Sequence, residues 1–196
     1  MLAVWQLMRA SDRKTHIHSR HALDSSPSQL QLAVSASNDM TARLWNIAAA
    51  TAEQPLPWDK CHVGTLTHPN WVYSVSVVRD IAATGCGDGL VRLWSLATHR
   101  CLRTLEHSAG TLDNPYLQSP VYSVRMVRGV AISGCKDGYV KVWSLGGDFR
   151  CLSTLNHGSN VQGLVLSEDG FIVSSGGKAK KLYVWRPQPR SKGHTP

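Results

Sequence analysis

The residues of this chain whose types could do chemistry are histidine, serine or threonine, and aspartate, which recur at fixed distances from tryptophan. A hydroxyl residue lies ten positions before Trp45, Trp94 and Trp143, and an aspartate lies six positions before each of them. His68 and His107 precede the second and third of these sets. Histidine, serine and aspartate together could form a hydrolytic triad. A triad is assembled once around one substrate, whereas this set recurs, so the sequence predicts a structural role and no catalytic residues.

The five cysteines are the other chemically active group, and their spacing follows a duplication. Cys86 and Cys135 occupy one place in the repeated sequence, and Cys101 and Cys151 occupy another. No Cys-x-x-Cys pair is present, which removes the usual zinc and redox motifs. The sequence therefore predicts no metal, no cofactor and no small-molecule substrate. An odd number of thiols favours a reducing, intracellular compartment, which we expect to be the cytoplasm, the nucleus or both.

An internal repeat explains these spacings. The segment Val121–Leu145 matches Val72–Leu96 at 15 of 25 positions without a gap. Tryptophans at positions 5, 45, 94, 143 and 185 are separated by 40, 49, 49 and 42 residues. A period in the forties is typical of stacked, small β-sheets. We expect units at about 1–14, 15–67, 72–105, 121–155 and 161–186, followed by a disordered basic tail over 187–196.

Short runs of Val, Ile, Thr and Trp between Gly, Asp and Pro predict an all-β chain. In the two clearest units the predicted strands are Val72–Val78, Ile81–Cys86, Leu90–Leu96 and Arg100–Leu105, and then Val121–Val127, Val130–Cys135, Tyr139–Leu145 and Arg150–Leu155. The last unit has only three predicted strands. Ala48–Lys60 reads as an exposed loop because it is rich in alanine and contains proline.

In the recurring offsets of histidine, serine or threonine, and aspartate from tryptophan, the chain resembles the WD-repeat family of β-propellers. The resemblance implies a hydrogen-bonded tetrad of His, Ser or Thr, Asp and Trp in each blade. Carried over by position, the tetrads are His68–Thr84–Asp88–Trp94, His107–Ser133–Asp137–Trp143 and the partial set Ser35–Asp39–Trp45. In the last unit Ala179 takes the place of the aspartate, so that tetrad is expected to be incomplete. About four blades are present where seven are typical, so we expect an incomplete ring from the C-terminal part, or a short isoform, of a longer propeller.

The family resemblance implies that one rim of the propeller binds peptides or proteins, and the chain is expected to be a non-catalytic interaction scaffold. The residues that fall on this rim are Trp71, Tyr73, Tyr122, Asn160, Gln162, Asn38, Lys136 and Lys178. Exposed aromatic and basic groups suit an acidic or phosphorylated segment. The alternative for Tyr73 and Tyr122 is simple packing between adjacent blades.

Two other function classes stay open. The short turns Arg79-Asp80 and Arg128-Gly129 are similar to those of the F-box/WD-repeat subgroup, which would make the chain the substrate-recognition part of a ubiquitin ligase receptor without its F-box. The chain carries 21 Lys and Arg against 13 Asp and Glu, a net charge of +8. Because a positive charge favours an anionic partner such as nucleic acid, the other class is an RNA-associated propeller, which would use Lys178, Lys180 and Lys181. No apolar run approaches the ~20 residues that a membrane-spanning helix needs, so no membrane role is expected.

Overall fold

The computed structural model describes residues 15–20, 32–51, 56–108, 119–127, 129–177 and 181–187. The first predicted unit, residues 109–118 and most of the C-terminal tail lie outside these residues. In the described part of the chain, no helix is long and apolar enough to cross a membrane.

The described residues form four antiparallel sheets that follow one another along the chain, and we number them as blades one to four. Blade one holds β1 Thr15–Arg20, β2 Leu32–Ser37, β3 Thr41–Asn46 and β4 His62–Thr67. Blade two holds β5 Val72–Val78, β6 Ile81–Cys86, β7 Leu90–Ser95 and β8 Cys101–Glu106. Blade three holds β9 Val121–Val127, β10 Val130–Cys135, β11 Tyr139–Ser144 and β12 Cys151–Asn156. Blade four holds β13 Gly163–Leu166, β14 Ile172–Gly176 and β15 Lys181–Trp185.

The predicted all-β meander is confirmed, whereas the exposed loop predicted over Ala48–Lys60 is wrong in its first residues, and residues 56–60 are exposed as predicted. A short helix, α1 Ile47–Thr51, follows β3, and a 3-10 turn covers Trp58–Lys60. Alanine has the highest helix propensity. The side-chain oxygen of Asn46 accepts a hydrogen bond from the Ala49 N–H at 3.2 Å, which caps the first turn of α1. The alanines therefore mark a helix, which the strand pattern on either side concealed.

The turns between the second and third strands use Asp-Gly chemistry. Gly89 and Gly138 adopt φ of 79° and 90°, a region that glycine enters without steric cost. The Asp88 carboxylate accepts a hydrogen bond from the Leu90 N–H, and Asp137 accepts one from the Tyr139 N–H. The aspartate thus closes the turn through its own side chain.

Packing between neighbouring blades forms three apolar cores. The innermost strands contact one another in the order β1, β5, β9 and β13, and among the described residues no extensive packing brings β13 back to β1. The arc is therefore an incomplete ring. Gly85 and Gly134 allow this close approach, because a Cβ at Gly85 would lie 2.8 Å from the Val121 carbonyl oxygen and one at Gly134 would overlap the side chain of Val161.

Candidate functional site

A hydroxyl group lies at the centre of each repeated polar set. The Trp94 indole N–H donates to Thr84 Oγ1 at 2.9 Å, and Thr84 Oγ1 lies 2.8 Å from His68 Nε2. His68 follows β4 of blade one, whereas Thr84 lies in β6 of blade two. The hydrogen bond therefore joins two blades, and all three side chains are buried.

The same arrangement recurs in blade three, where the histidine contacts the hydroxyl through Nδ1 instead of Nε2. The Trp143 indole N–H donates to Ser133 Oγ at 2.8 Å, and Ser133 Oγ lies 2.5 Å from His107 Nδ1. In blade one, the Trp45 indole N–H donates to Ser35 Oγ at 2.9 Å. A buried indole N–H needs an acceptor, and each hydroxyl supplies it.

The aspartates of the predicted tetrads divide into two groups. Asp88 forms a two-pronged ion pair with Arg92, whose closest N–O distance is 2.6 Å, and Asp39 pairs with Arg43 at 2.8 Å. Asp137 has Lys141 at the position equivalent to Arg92, and its carboxylate instead lies 3.7 Å from His107 Nε2. The tetrad is therefore arranged around histidine in blade three, whereas arginine holds the aspartate in blade two.

The hydrogen bonds of His68 fix its charge state. Its Nδ1 donates to the Leu66 carbonyl at 3.0 Å, so Nε2 accepts the hydrogen atom of the Thr84 hydroxyl. Both bonds belong to the neutral imidazole. Burial lowers the pKa of His68 to about 4, against the opposing effect of the Leu66 carbonyl.

Carboxylates beside these groups stay charged. Burial acts to raise the pKa of Asp88, but hydrogen bonds from Arg92 and the Cys86 thiol outweigh it and hold that pKa below its ordinary value. Burial also acts to raise the pKa of Asp137, and the contact with His107 outweighs it. Each aspartate is therefore an anion that is stabilised by the groups next to it.

Blade four contains a polar set that the offset of ten positions does not locate. The Trp185 indole N–H donates to Ser174 Oγ at 2.8 Å, and Ser174 Oγ lies 2.9 Å from His157 Nδ1. Ten positions before Trp185 is Ser175. The turn from Gly176 to Lys181 is one residue longer than the turn from Cys86 to Leu90, which moves the hydroxyl to eleven positions before the tryptophan. Ala179 of this turn lies outside the described residues.

One cluster has the composition of a metal site, because the ligand atoms of His107, Cys135 and Asp137 lie within 4.8 Å of one another. The bonds they already make disfavour that use. The Cys135 thiol donates to the Ser119 carbonyl at 3.1 Å, and burial raises the pKa of this thiol to about 12. Cysteine binds a metal ion as the thiolate, which this raised pKa disfavours. The cluster therefore suits the internal polar set better than an ion.

Three of the predicted rim aromatics form one cluster. The rings of Trp71 and Tyr73 are 6.3 Å apart, and those of Tyr73 and Tyr122 are 5.2 Å apart, both edge to face. Trp71 is 47% exposed and the two tyrosines are half-buried. Burial and then the neighbouring Tyr122 raise the pKa of Tyr73. The tyrosines do pack between blades, as the alternative expected, while Trp71 stays open to a ligand.

The other predicted rim residues lie at equivalent positions of neighbouring blades. The Gly87 N–H donates to the Trp71 carbonyl, and the Lys136 N–H donates to the carbonyl of Pro120, the counterpart of Trp71. Lys136 and Gln162 are exposed, while Asn38 and Asn160 are half-buried. Lys178 and Lys180 lie outside the described residues, so the basic turn predicted for RNA binding is not described.

A shallow cavity of about 280 Å³ adjoins this aromatic cluster. Tyr122 and Gln162 line it together with Arg125, which the sequence analysis did not single out. One Arg125 N–H donates to the Val124 carbonyl at 2.7 Å, and burial lowers the pKa of this guanidinium. Arg125 takes the place of Ser76 in the repeat, and a single arginine at a repeated position gave no periodic signal.

Comparison with known proteins gives a family and a fold. The family model described as "WD domain, G-beta repeat" matches the chain at residues 13–46, 60–95, 100–144 and 149–186. The computationally designed Ika4 protein is 23% identical with a TM-score of 0.63, over 84% of this chain and 95% of that chain, which shows the fold alone. The computationally designed Ika8 protein is 25% identical with a TM-score of 0.62, over 79% of this chain and 42% of that chain. The chain thus spans less than half of the length of Ika8. No curated protein matches the chain.

Proposed function

The chain belongs to the WD-repeat family, and from this premise we propose that its rim binds an acidic or phosphorylated peptide segment of a protein partner. WD-repeat domains generally act as non-catalytic scaffolds for proteins and peptides. The observation that carries the proposal is the cluster of Trp71, Tyr73 and Tyr122 beside the cavity lined by Arg125. Partly exposed aromatic side chains in this setting are typical of binding hot spots.

The charge of the rim supports an anionic partner. Asp39 and Asp88 are each neutralised by an arginine, and Asp137 faces His107. Lys136 is exposed and Arg125 lines the cavity. Because Asp39 and Asp88 are already paired with arginines, Lys136 and Arg125 are left to attract a peptide of opposite charge.

A pair of labelled peptides tests the proposal. The probe is a fluorescent nonapeptide of glycine, glutamate and phosphoserine, and its control carries glutamine and serine at the same positions. Fluorescence anisotropy should show tighter binding of the acidic peptide, and Trp71→Ala should weaken it at least about tenfold, as expected for a hot spot.

Trp58→Ala is the matched control, because Trp58 is 44% exposed and lies on a separate 3-10 turn. This variant should bind as the natural chain does. Equal binding of the two peptides would exclude an acidic partner, and an unchanged affinity of Trp71→Ala would exclude the aromatic cluster.

A role as a ubiquitin-ligase substrate receptor is a narrower form of the same proposal. Its support is the tight connection of β5 to β6, where Val78 pairs with Ile81 and Arg79 adopts a φ of 55°. Because a receptor without its F-box would bind substrates without recruiting the ligase, overexpression of the chain should lower the ubiquitination of the proteins that it captures. An RNA-associated role would instead require salt-sensitive RNA retention that is lost on neutralising Lys178, Lys180 and Lys181.

A further inference from the structure

Blade four presents an open apolar face, which we call the tail face. Val165, Val173 and Val184 pair with one another across β13, β14 and β15, and Leu182 lies on the same face two residues before Val184. Val165, Leu182 and Val184 are 60%, 64% and 58% exposed. Three large aliphatic side chains on one sheet face are more than the scattered apolar exposure of an ordinary surface.

The repeat identifies what covers this face in the other blades. In blade two, Ala83, Val91 and Leu93 are equivalent to Val173, Leu182 and Val184 by strand register, and none is more than 2% exposed. Their apolar core includes the inner strand and the tryptophan of the next blade, through Val121, Val124, Met126 and Trp143. A tail face therefore has the shape that packs against the inner strand and the tryptophan of a following blade.

Blade one has the complementary surface, which we call the head face. Trp94 and Trp143 are 6% and 5% exposed because the preceding blade packs on them. Their equivalent Trp45 is only half-buried, as is Ala33, whose equivalents Ala82 and Ala131 are fully buried. The other side of blade one, with Val34 and Leu44, packs on blade two. Trp45 and Ala33 thus form the half of an inter-blade interface that blade four lacks.

We propose that a second copy of this chain covers the tail face with its head face. Each copy carries one face of each kind, so two copies related by a twofold axis bury all four faces in two equal interfaces. The same residue types already pack against each other between neighbouring blades of the arc, so the tail face and the head face are complementary in shape.

Sedimentation velocity on the full chain tests the pairing. The natural chain should sediment as a particle of twice 21.5 kDa. Leu182→Asp with Val184→Asp should give a single chain, because two carboxylates cannot be buried in an apolar interface. Ala33→Glu should do the same from the head face. Both sites are at least partly exposed in one chain, and circular dichroism checks that the variants fold.

A mixture of the two variants separates this pairing from others. Each variant alone has one intact face, so an equimolar mixture should form a pair with one copy of each. Leu102→Asp, at an exposed position outside both faces, should leave the natural pairing unchanged. A single-chain mass for the natural protein would overturn the proposal. A stable pair of Ala33→Glu alone would overturn it as well, since tail faces would then meet each other.

Discussion

At the scale of single residues, the partner of each aspartate is decided by the residue two positions before the tryptophan. Arg43 and Arg92 reach the carboxylate four residues earlier in the chain, whereas Lys141 does not displace His107 from Asp137. A guanidinium offers two parallel N–H donors to a carboxylate, and an ammonium does not. Arginine at this position therefore takes the aspartate out of the histidine network.

Two ion pairs of identical spacing but different burial give the first prediction. Arg92→Ala should lower the free energy of unfolding by about 1–3 kcal/mol, since it leaves the largely buried Asp88 carboxylate without its donor. Arg43→Ala removes an exposed pair and should cost less than about 1 kcal/mol. Urea unfolding of both variants measures the difference. Equal losses would show that burial does not set the value of this pair.

The neutral state of His68 predicts a loss of stability in mild acid. The unfolded chain takes up a proton near pH 6.5, whereas the folded chain resists until about pH 4. The stabilisation is therefore complete above pH 6.5 and falls as the pH drops from 6.5 to 4, by up to about 3 kcal/mol. Burial also lowers the pKa of His157, which adds a contribution of the same sign.

His68→Gln isolates the first of these contributions. An amide can bond to Thr84 without titrating, so the variant should lose part of its stability at pH 7 and show a shallower decline between pH 6.5 and 4. Chemical unfolding at several pH values measures both slopes. Parallel curves for the variant and the natural chain would assign the acid sensitivity to other groups.

Sequence offsets located the hydroxyl and the tryptophan in blades one to three, where the intervening turn keeps its length. They do not locate Ser174, because one added turn residue shifts the count without changing the strand register. The family resemblance placed Asp88 in a tetrad with His68, whereas the structure pairs its carboxylate with Arg92. Counting along a chain records spacing, whereas the choice between two donors depends on three-dimensional geometry.

At the scale of elements, strand positions followed from the repeat, and the packing between blades depends on residues that lack a side chain. The strands β5, β6, β9 and β10 have the bounds that the repeat predicted. The role of Gly134 was not foreseen, because its need for a small residue comes from Val161 and Leu164 of another blade. Long-range contacts of this kind leave no local pattern in the sequence.

Gly134→Ala should therefore loosen the interface between blades three and four. A Cβ at this position would overlap Val161 and lie 3.1 Å from Leu164, so the two blades must separate slightly, at a cost of about 1–3 kcal/mol. Gly146→Ala is the control, because the nearest atom to its Cβ would be Ser144 Oγ at 3.7 Å. Thermal unfolding compares the two. A fully stable Gly134→Ala variant would show that this interface tolerates a wider spacing.

At the scale of the whole molecule, the number of blades leaves two complementary faces at the ends of the arc. Blade two buries Leu93, the equivalent of Val184, and blades two and three bury Trp94 and Trp143, the equivalents of Trp45. The exposure of Val184 and Trp45 therefore reflects their position at the ends of the arc. The repeat predicted an incomplete ring from the count of blades. Which side chains line the open ends depends on the strand register, which the structure supplies.

Pairing of two arcs makes thermal stability depend on protein concentration. If folded pairs dissociate into unfolded chains, mass action favours the pair at higher concentration, and Tm should rise by on the order of 2 °C for each tenfold increase. The variant with aspartate at Leu182 and Val184 should melt at one temperature throughout, because a single chain has no concentration term. Differential scanning fluorimetry over a hundredfold range resolves the two behaviours. A natural chain whose Tm stays constant over that range would show that the open faces are not held together by a second copy.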